Sequence, residues 1–130
     1  MTTNQHLVMI VEDEPDTAEM YAEMMRLSGY QVRKTYGGAA AIAAILQEKP
    51  KVVLLDIMMP DVSGLEVLRF MKRDPALEHI PVVVVSAKTM PDDIRSGLRA
   101  GASAYLTKPV GLHELADAIR AAIQAGELAE

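Results

Sequence analysis

The sequence predicts a doubly wound α/β fold: a parallel sheet with helices on both faces. Short β-branched runs alternate with segments of helical period five times along the chain. Two of these runs, Val52-Val53-Leu54-Leu55 and Val82-Val83-Val84-Val85, are apolar on both faces, as central strands of a covered parallel sheet are. Oxygen-bearing residues recur just after the runs, at the strand ends where folds of this class place their chemistry. Strict βα alternation implies right-handed crossovers.

Taken in order, the strands are expected at Leu7–Val11, Gln31–Thr35, Val52–Leu55, Val82–Val85 and Ala104–Leu106. Gln31–Thr35 alternates polar and apolar residues, which suits an edge. In the first helix Ala18, Tyr21, Met24 and Met25 share a face, and Gly29 marks the stop. The second runs from about Gly38 to Gln47 with Ile42, Ile45 and Leu46 inward and Pro50 beyond its end. The third carries Leu65, Leu68 and Met71. The fourth carries Ile94 and Leu98 and closes at Gly101. The last has Leu112, Leu115, Ala116, Ile119, Ala122 and Ile123 on one stripe and is expected to end near Ala125. Residues 126–130 would then form a short tail, too short for an effector domain.

Composition narrows the function. The 130 residues fit one domain spanning 1–130, able to bury about two-thirds of its unfolded surface, and they are 50% hydrophobic and 24% charged. A net charge of −5 argues against nucleic-acid binding, which needs clustered Lys and Arg. The absence of cysteine excludes disulfides and thiolate metal sites. No apolar stretch approaches the roughly 20 residues of a membrane span. The start, Met1 to His6, lacks the basic and apolar parts of a secretory signal, so a cytoplasmic protein is expected.

The strand ends carry the chemistry. The first ends in Glu12-Asp13-Glu14, the third in Asp56, the fourth in Ser86 and the fifth in Thr107-Lys108-Pro109. Two carboxylates 4 Å apart repel by roughly 4 kcal/mol at an intermediate effective dielectric. A cluster of them therefore protonates or holds a cation. Oxygen ligands with no nearby His or Cys favour Mg²⁺, and such a metal can clamp a phosphoryl oxygen. Lys108 would add a second positive charge, Ser86 a hydroxyl donor, and Asp56 a nucleophile. Phosphoryl transfer to a carboxylate is the chemistry these groups suggest.

Each of these residues also has a plainer explanation. Asp13 before Pro15 could cap the first helix, and Asp56 could be an ordinary polar strand end. Ser86 alone would be a turn residue, Lys108 a solvated lysine and Tyr105 a packed aromatic. It is their joint placement at strand ends that favours a site. The methionines Met20, Met24, Met25 and Met71 read as helix residues, some filling core gaps. His6, His79 and His113 show no ligand spacing. Lys88, Arg95 and Arg99 lie on or near the fourth helix, as a solvated face or as part of a partner-binding surface.

The segments Val11-Glu12-Asp13-Glu14-Pro15, Leu54-Leu55-Asp56-Ile57-Met58-Met59-Pro60-Asp61-Val62-Ser63-Gly64, Val85-Ser86-Ala87 and Leu106-Thr107-Lys108-Pro109 resemble the four signature blocks of response-regulator receiver domains. They occur in order, at family-like spacing, over essentially the whole chain. The resemblance implies a flavodoxin-like (βα)5 fold with strand order 2-1-3-4-5 and a phosphoacceptor at Asp56. It implies Mg²⁺ held by Asp13, Asp56 and the backbone carbonyl of Met58, with Glu12 acting through water. Ser86 and Lys108 would contact the phosphoryl group, and Ser86 and Tyr105 would form the switch. Lys108-Pro109 matches a bond that is usually cis in the family.

As partners the resemblance implies a histidine kinase or histidine phosphotransfer protein upstream. Downstream it implies a protein target or an effector domain absent from this chain, read through the fourth helix, fifth strand and fifth helix. Such a domain catalyses its own phosphorylation and is not an enzyme with a separate substrate. A monomer or a weak phosphorylation-dependent dimer is expected. Ala102-Ser103-Ala104 lacks the acidic residues that form dimer salt bridges in many DNA-binding regulators. A haloacid-dehalogenase-type hydrolase would need an Asp where Met58 stands. A flavodoxin-type nucleotide binder would not place Glu12-Asp13-Glu14 beside its phosphate. A degenerate receiver, binding partners without phosphorylation, is the remaining alternative.

Overall fold

A computed structural model describes residues 6–129. The polar start at residues 1–5 and Glu130 of the expected tail lie outside the described residues. The elements are β1 (Leu7–Val11), α1 (Pro15–Leu27), β2 (Gln31–Thr35), α2 (Gly38–Glu48), β3 (Val52–Asp56), α3 (Gly64–Arg73), β4 (Val82–Ser86), α4 (Pro91–Arg99), β5 (Ala104–Thr107) and α5 (Leu112–Ala129). The strands form one parallel sheet in the order β2-β1-β3-β4-β5. The order reverses between β1 and β3, so the crevice at their carboxyl ends is the expected ligand position.

Alternation along each strand divides the core between the two faces. Met9, Val11, Val53, Leu55, Val82 and Val84 meet Ala41, Ala44 and Ile45 of α2 and Val67, Leu68 and Met71 of α3. Val8, Ile10, Val52, Leu54, Val83 and Val85 meet Ala18, Tyr21, Ala22 and Met25 of α1 and Leu115, Ile119, Ala122 and Ile123 of α5. Each fully buried Val, Leu or Ile contributes about 1.5–3 kcal/mol, so β1, β3 and β4, covered on both sides, form the rigid centre.

The structure departs from the sequence expectations at several points. The last three strands run one residue further than expected, taking in Asp56, Ser86 and Thr107. In α2 the inward face is Ala41, Ala44 and Ile45, while Ile42 is only partly buried and Leu46 is exposed. That helix is apolar nearly all round, so its period could not select a face, and the small alanines let it sit close to the sheet. Of α4 only Gly97 is buried, because the short edge strand β5 beside it offers little apolar area.

Helix α5 continues to Ala129 instead of ending near Ala125. A helical glycine costs only about 1 kcal/mol relative to Ala. Here the turn containing Gly126 also carries Glu127, which pairs with Lys51 at 3.5 Å and reaches His6 at 3.9 Å.

Candidate functional site

Parallel register sets the site. Val11 is level with Leu55, Asp56 with Val85, and Ser86 with Thr107, so the residues at and just beyond these strand ends converge on one edge. Asp56 is only 6% exposed; its Oδ1 accepts the Met58 N–H at 3.2 Å, and its Oδ2 lies 3.5 Å from Lys108 Nζ. Glu12, 2% exposed, accepts the Glu14 N–H at 3.2 Å and the Lys108 ammonium at 3.2 Å. Asp13 is the most open of the acidic trio. One oxygen each from Glu12, Asp13 and Asp56 can be chosen so that all lie within 4.8 Å of one another.

Three carboxylates facing one ammonium leave an excess of negative charge in a poorly solvated place. Glu12 shows the consequence. Burial, then the charge of Asp56, push its carboxyl up from the ordinary 4.5 to about 7, against the opposing pull of the Glu14 amide and Lys108. For Lys108, burial works toward a lower value, yet the Asp56 and Glu12 carboxylates hold the ammonium above the ordinary lysine range. A closely spaced all-oxygen donor set with surplus negative charge fits a hard divalent cation such as Mg²⁺. The residues present therefore suit that ion.

The surrounding residues are held in different ways. Glu14, not Asp13, caps α1, accepting the Asp16 N–H at 3.2 Å, which leaves Asp13 available to the cluster. Ser86 is fully buried, and its Oγ accepts the Lys88 N–H at 3.1 Å. The Tyr105 ring packs beside Gly97, and its hydroxyl donates to the Lys88 carbonyl at 2.9 Å. Both switch candidates thus engage the same loop residue. The Lys108–Pro109 peptide is cis. Met58 is 52% exposed and lines, with Ile57, Ser63 and Lys88, a cavity of about 410 Å³.

Gly64 is needed where α3 begins. A Cβ built there would stand 2.3 Å from the Asp56 carbonyl oxygen and 2.6 Å from Ile57 Cα. The start of α3 therefore presses on the backbone of Asp56.

The structure brings together Glu12, Asp13, Asp56 and Lys108, with Ser86 level with the end of β5 and Tyr105 reaching the same loop. Lys88 and Arg99 are exposed, and Arg95 pairs with Asp92 within α4. Two features escaped the sequence reading. His6 and His79, far apart in sequence, both line a cavity of about 330 Å³ at the opposite end of the strands, with Lys49 and Lys51. Asp61 accepts N–H groups from the start of α2. The Gly37-Gly38 pair was its only sequence signal.

Comparisons with known proteins identify the family and the fold. The family model for the response regulator receiver domain matches residues 8–120. The polar-differentiation response regulator DivK of Brucella anthropi is 35% identical over 113 residues, covering 87% of this chain and 92% of DivK. TcrX of Mycobacterium tuberculosis, described as a "probable transcriptional regulatory protein", is 39% identical over 118 residues; the match covers 90% of this chain but only 49% of TcrX. The chain thus spans about half the length of TcrX.

Among solved structures, the signal receiver domain of a signal transduction histidine kinase from Syntrophus aciditrophicus matches with a TM-score of 0.85 at 28% identity, covering 92% of this chain and 91% of that one. A receiver domain protein from Clostridium thermocellum matches in fold with a TM-score of 0.89 at 24% identity, covering 96% and 99%. The chain belongs to the response regulator receiver domain family of two-component signalling.

Proposed function

We propose that this receiver accepts a phosphoryl group on Asp56 from a histidine kinase or histidine phosphotransfer protein and releases it again to water. One observation carries the proposal: the Asp56 carboxylate, nearly buried, lies within both the acidic cluster and the reach of Lys108. An Asp56 oxygen attacks the phosphorus of a phosphoimidazole. The O–P bond forms as the P–N bond breaks, and the departing imidazole nitrogen takes a proton from solvent. In a separate release step water attacks phosphorus, the Asp56 O–P bond breaks, and inorganic phosphate leaves with Asp56 again a carboxylate.

Asp13, Asp56 and the Met58 backbone carbonyl would hold Mg²⁺ directly, with Glu12 acting through water. When bound, the ion would offset the charge that the equatorial oxygens carry during transfer. Lys108, now shared between Glu12 and Asp56, turns toward the phosphoryl group and pairs with it. Ser86 Oγ accepts from the Lys88 amide, so its hydroxyl proton remains able to donate. That donation draws the loop after β4 inward. Tyr105, bonded to the carbonyl of Lys88 in the same loop, moves with it.

The switch is a population shift, limited in size by the contacts each state offers the phosphoryl group. Its output is the face formed by α4, β5 and α5, where a downstream protein or an attached effector would bind. Intact mass after incubation with acetyl phosphate tests the proposal. A Mg²⁺-dependent gain of one phosphoryl group in the wild type, absent from Asp56→Asn, is expected. An equal gain in the variant would overturn the assignment of the acceptor.

A further inference from the structure

Helix α2 begins without a local cap: Gly37 precedes it and offers no side-chain acceptor. The cap comes from across the fold. Asp61 Oδ1 accepts the Gly38 N–H at 3.1 Å, and Oδ2 accepts the Ala39 N–H at 3.3 Å. The backbone at the start of α2 is shaped to receive it. A Cβ at Gly38 would stand 2.6 Å from Val62 Cβ and 2.7 Å from its carbonyl oxygen, and one at Gly37 would stand 3.1 Å from Asp61 Oδ2. Gly37 also has φ +122°, a conformation that favours glycine. Amides from Val62, Gly38 and Ala39 together hold the Asp61 carboxyl below the usual carboxylate range, as expected for an anion at a helix start.

The segment so held is the one joining the acceptor to α3. Asp61 lies between Met58, whose N–H is bonded to Asp56, and Ser63, which caps α3 through the Leu65 N–H at 3.2 Å. At its base the Gly64 N–H donates to the Ile57 carbonyl at 2.9 Å. Both ends of the segment are thus fixed locally; in its middle Met59 is buried in the core and Val62 packs against it, and Asp61 adds the side-chain hydrogen bonds that tie it to α2.

We propose that Asp61 is a positioning residue for the acceptor site: it clasps residues 57–63 to the start of α2, keeps Met58 aligned with Asp56, and ties cation binding at the carboxylates to α2. This inference rests on the Mg²⁺-dependent reading of Asp56 given above.

The test is a Mg²⁺ titration followed by amide NMR, with acetyl phosphate labelling run in parallel. In the wild type, the Gly38 and Ala39 amides shift with the same midpoint as Met58. In Asp61→Ala the Mg²⁺ dissociation constant rises about tenfold, the scale seen for residues that support metal ligands, and labelling slows. Asp61→Asn falls between, since its amide oxygen can accept one N–H. Gly38→Ala, which displaces Val62 from the opposite side, also weakens Mg²⁺ binding.

An unchanged dissociation constant and labelling rate in Asp61→Ala, with only a lower melting temperature, would reduce Asp61 to a structural cap and overturn the proposal. Should that variant not fold, wild-type Gly38 and Ala39 amides that stay fixed while Met58 shifts would overturn it equally. A wild type that binds no Mg²⁺ at all would remove the functional reading itself, and the clasp with it.

Discussion

Strands β3 and β5 both end at the site, yet they are built differently. Every residue of β3 is buried, and the backbone at its end is pressed by α3 at Gly64. No residue of β5 is fully buried, and its neighbour α4 buries only Gly97. Asp56, the proposed acceptor, therefore sits on a fully buried strand, and Tyr105, a proposed responder, on one that is only half-buried. A charge added at Asp56 cannot be absorbed by moving Asp56. It has to be met by groups that come to it: Ser86 at the end of β4, the loop that follows, and Lys108 just beyond β5.

The comparison can be broken by mutation. Leu68→Ala, in the core beneath β3, is expected to cost about 2–5 kcal/mol. Leu98→Ala on α4, where the side chain is 46% exposed, should stay within about 0.5 kcal/mol. Urea unfolding measures both, and similar losses would show that α4 is packed as firmly as α3. The two glycines give a smaller contrast. Gly64→Ala drives a Cβ into backbone and should cost about 1–3 kcal/mol. Gly97→Ala meets the Tyr105 ring at 2.8 Å, a side chain able to turn aside. The expectation is a stability change below about 1 kcal/mol and a displaced Tyr105, read from its ring resonances.

Electrostatics sharpens the same contrast through Glu12. Its folded value of about 7 exceeds the ordinary 4.5, so the metal-free folded state holds this proton more tightly than the unfolded chain does. The resulting stabilisation is complete below about pH 4.5 and is lost as pH rises through about 7. Relative to Glu12→Gln, the wild type should lose stability across that window, and Mg²⁺ should restore it at the alkaline end. A difference between the two proteins that is flat from pH 4.5 to 8 would refute this. The smallest effect expected is at Met58, whose side chain is exposed and whose backbone N–H donates to Asp56, the proposed acceptor. Met58→Asn should shorten the phosphoryl lifetime by giving the attacking water a hydrogen-bonding neighbour, and an unchanged lifetime would dismiss that role.

The central strands were legible because burial on both faces writes itself as unbroken apolar runs, and the acidic cluster because strand ends are where such folds carry function. The face of α2 was not legible, since an alanine-rich helix has no polar side to define it. The exposure of Leu98 was hidden too, because an amphipathic pattern does not report how little surface an edge strand offers. Contacts spanning long stretches of chain were beyond local reading. Lys108 reaches Glu12 across 96 residues, and Asp61 reaches Gly38 across 23. The motif blocks placed Lys108 and Glu12 in one site by resemblance, whereas the Gly37-Gly38 pair was the one hint of the second contact.

Hydrogen exchange with and without stable occupancy of Asp56, using beryllofluoride and Mg²⁺ in place of the phosphoryl group, tests the central claim most directly. The account predicts that amides from Lys88 to Thr107 change their exchange rates about tenfold or more, while those of Val52–Leu55 hold their protection. Equal changes in both strands, or changes confined to β3, would contradict it.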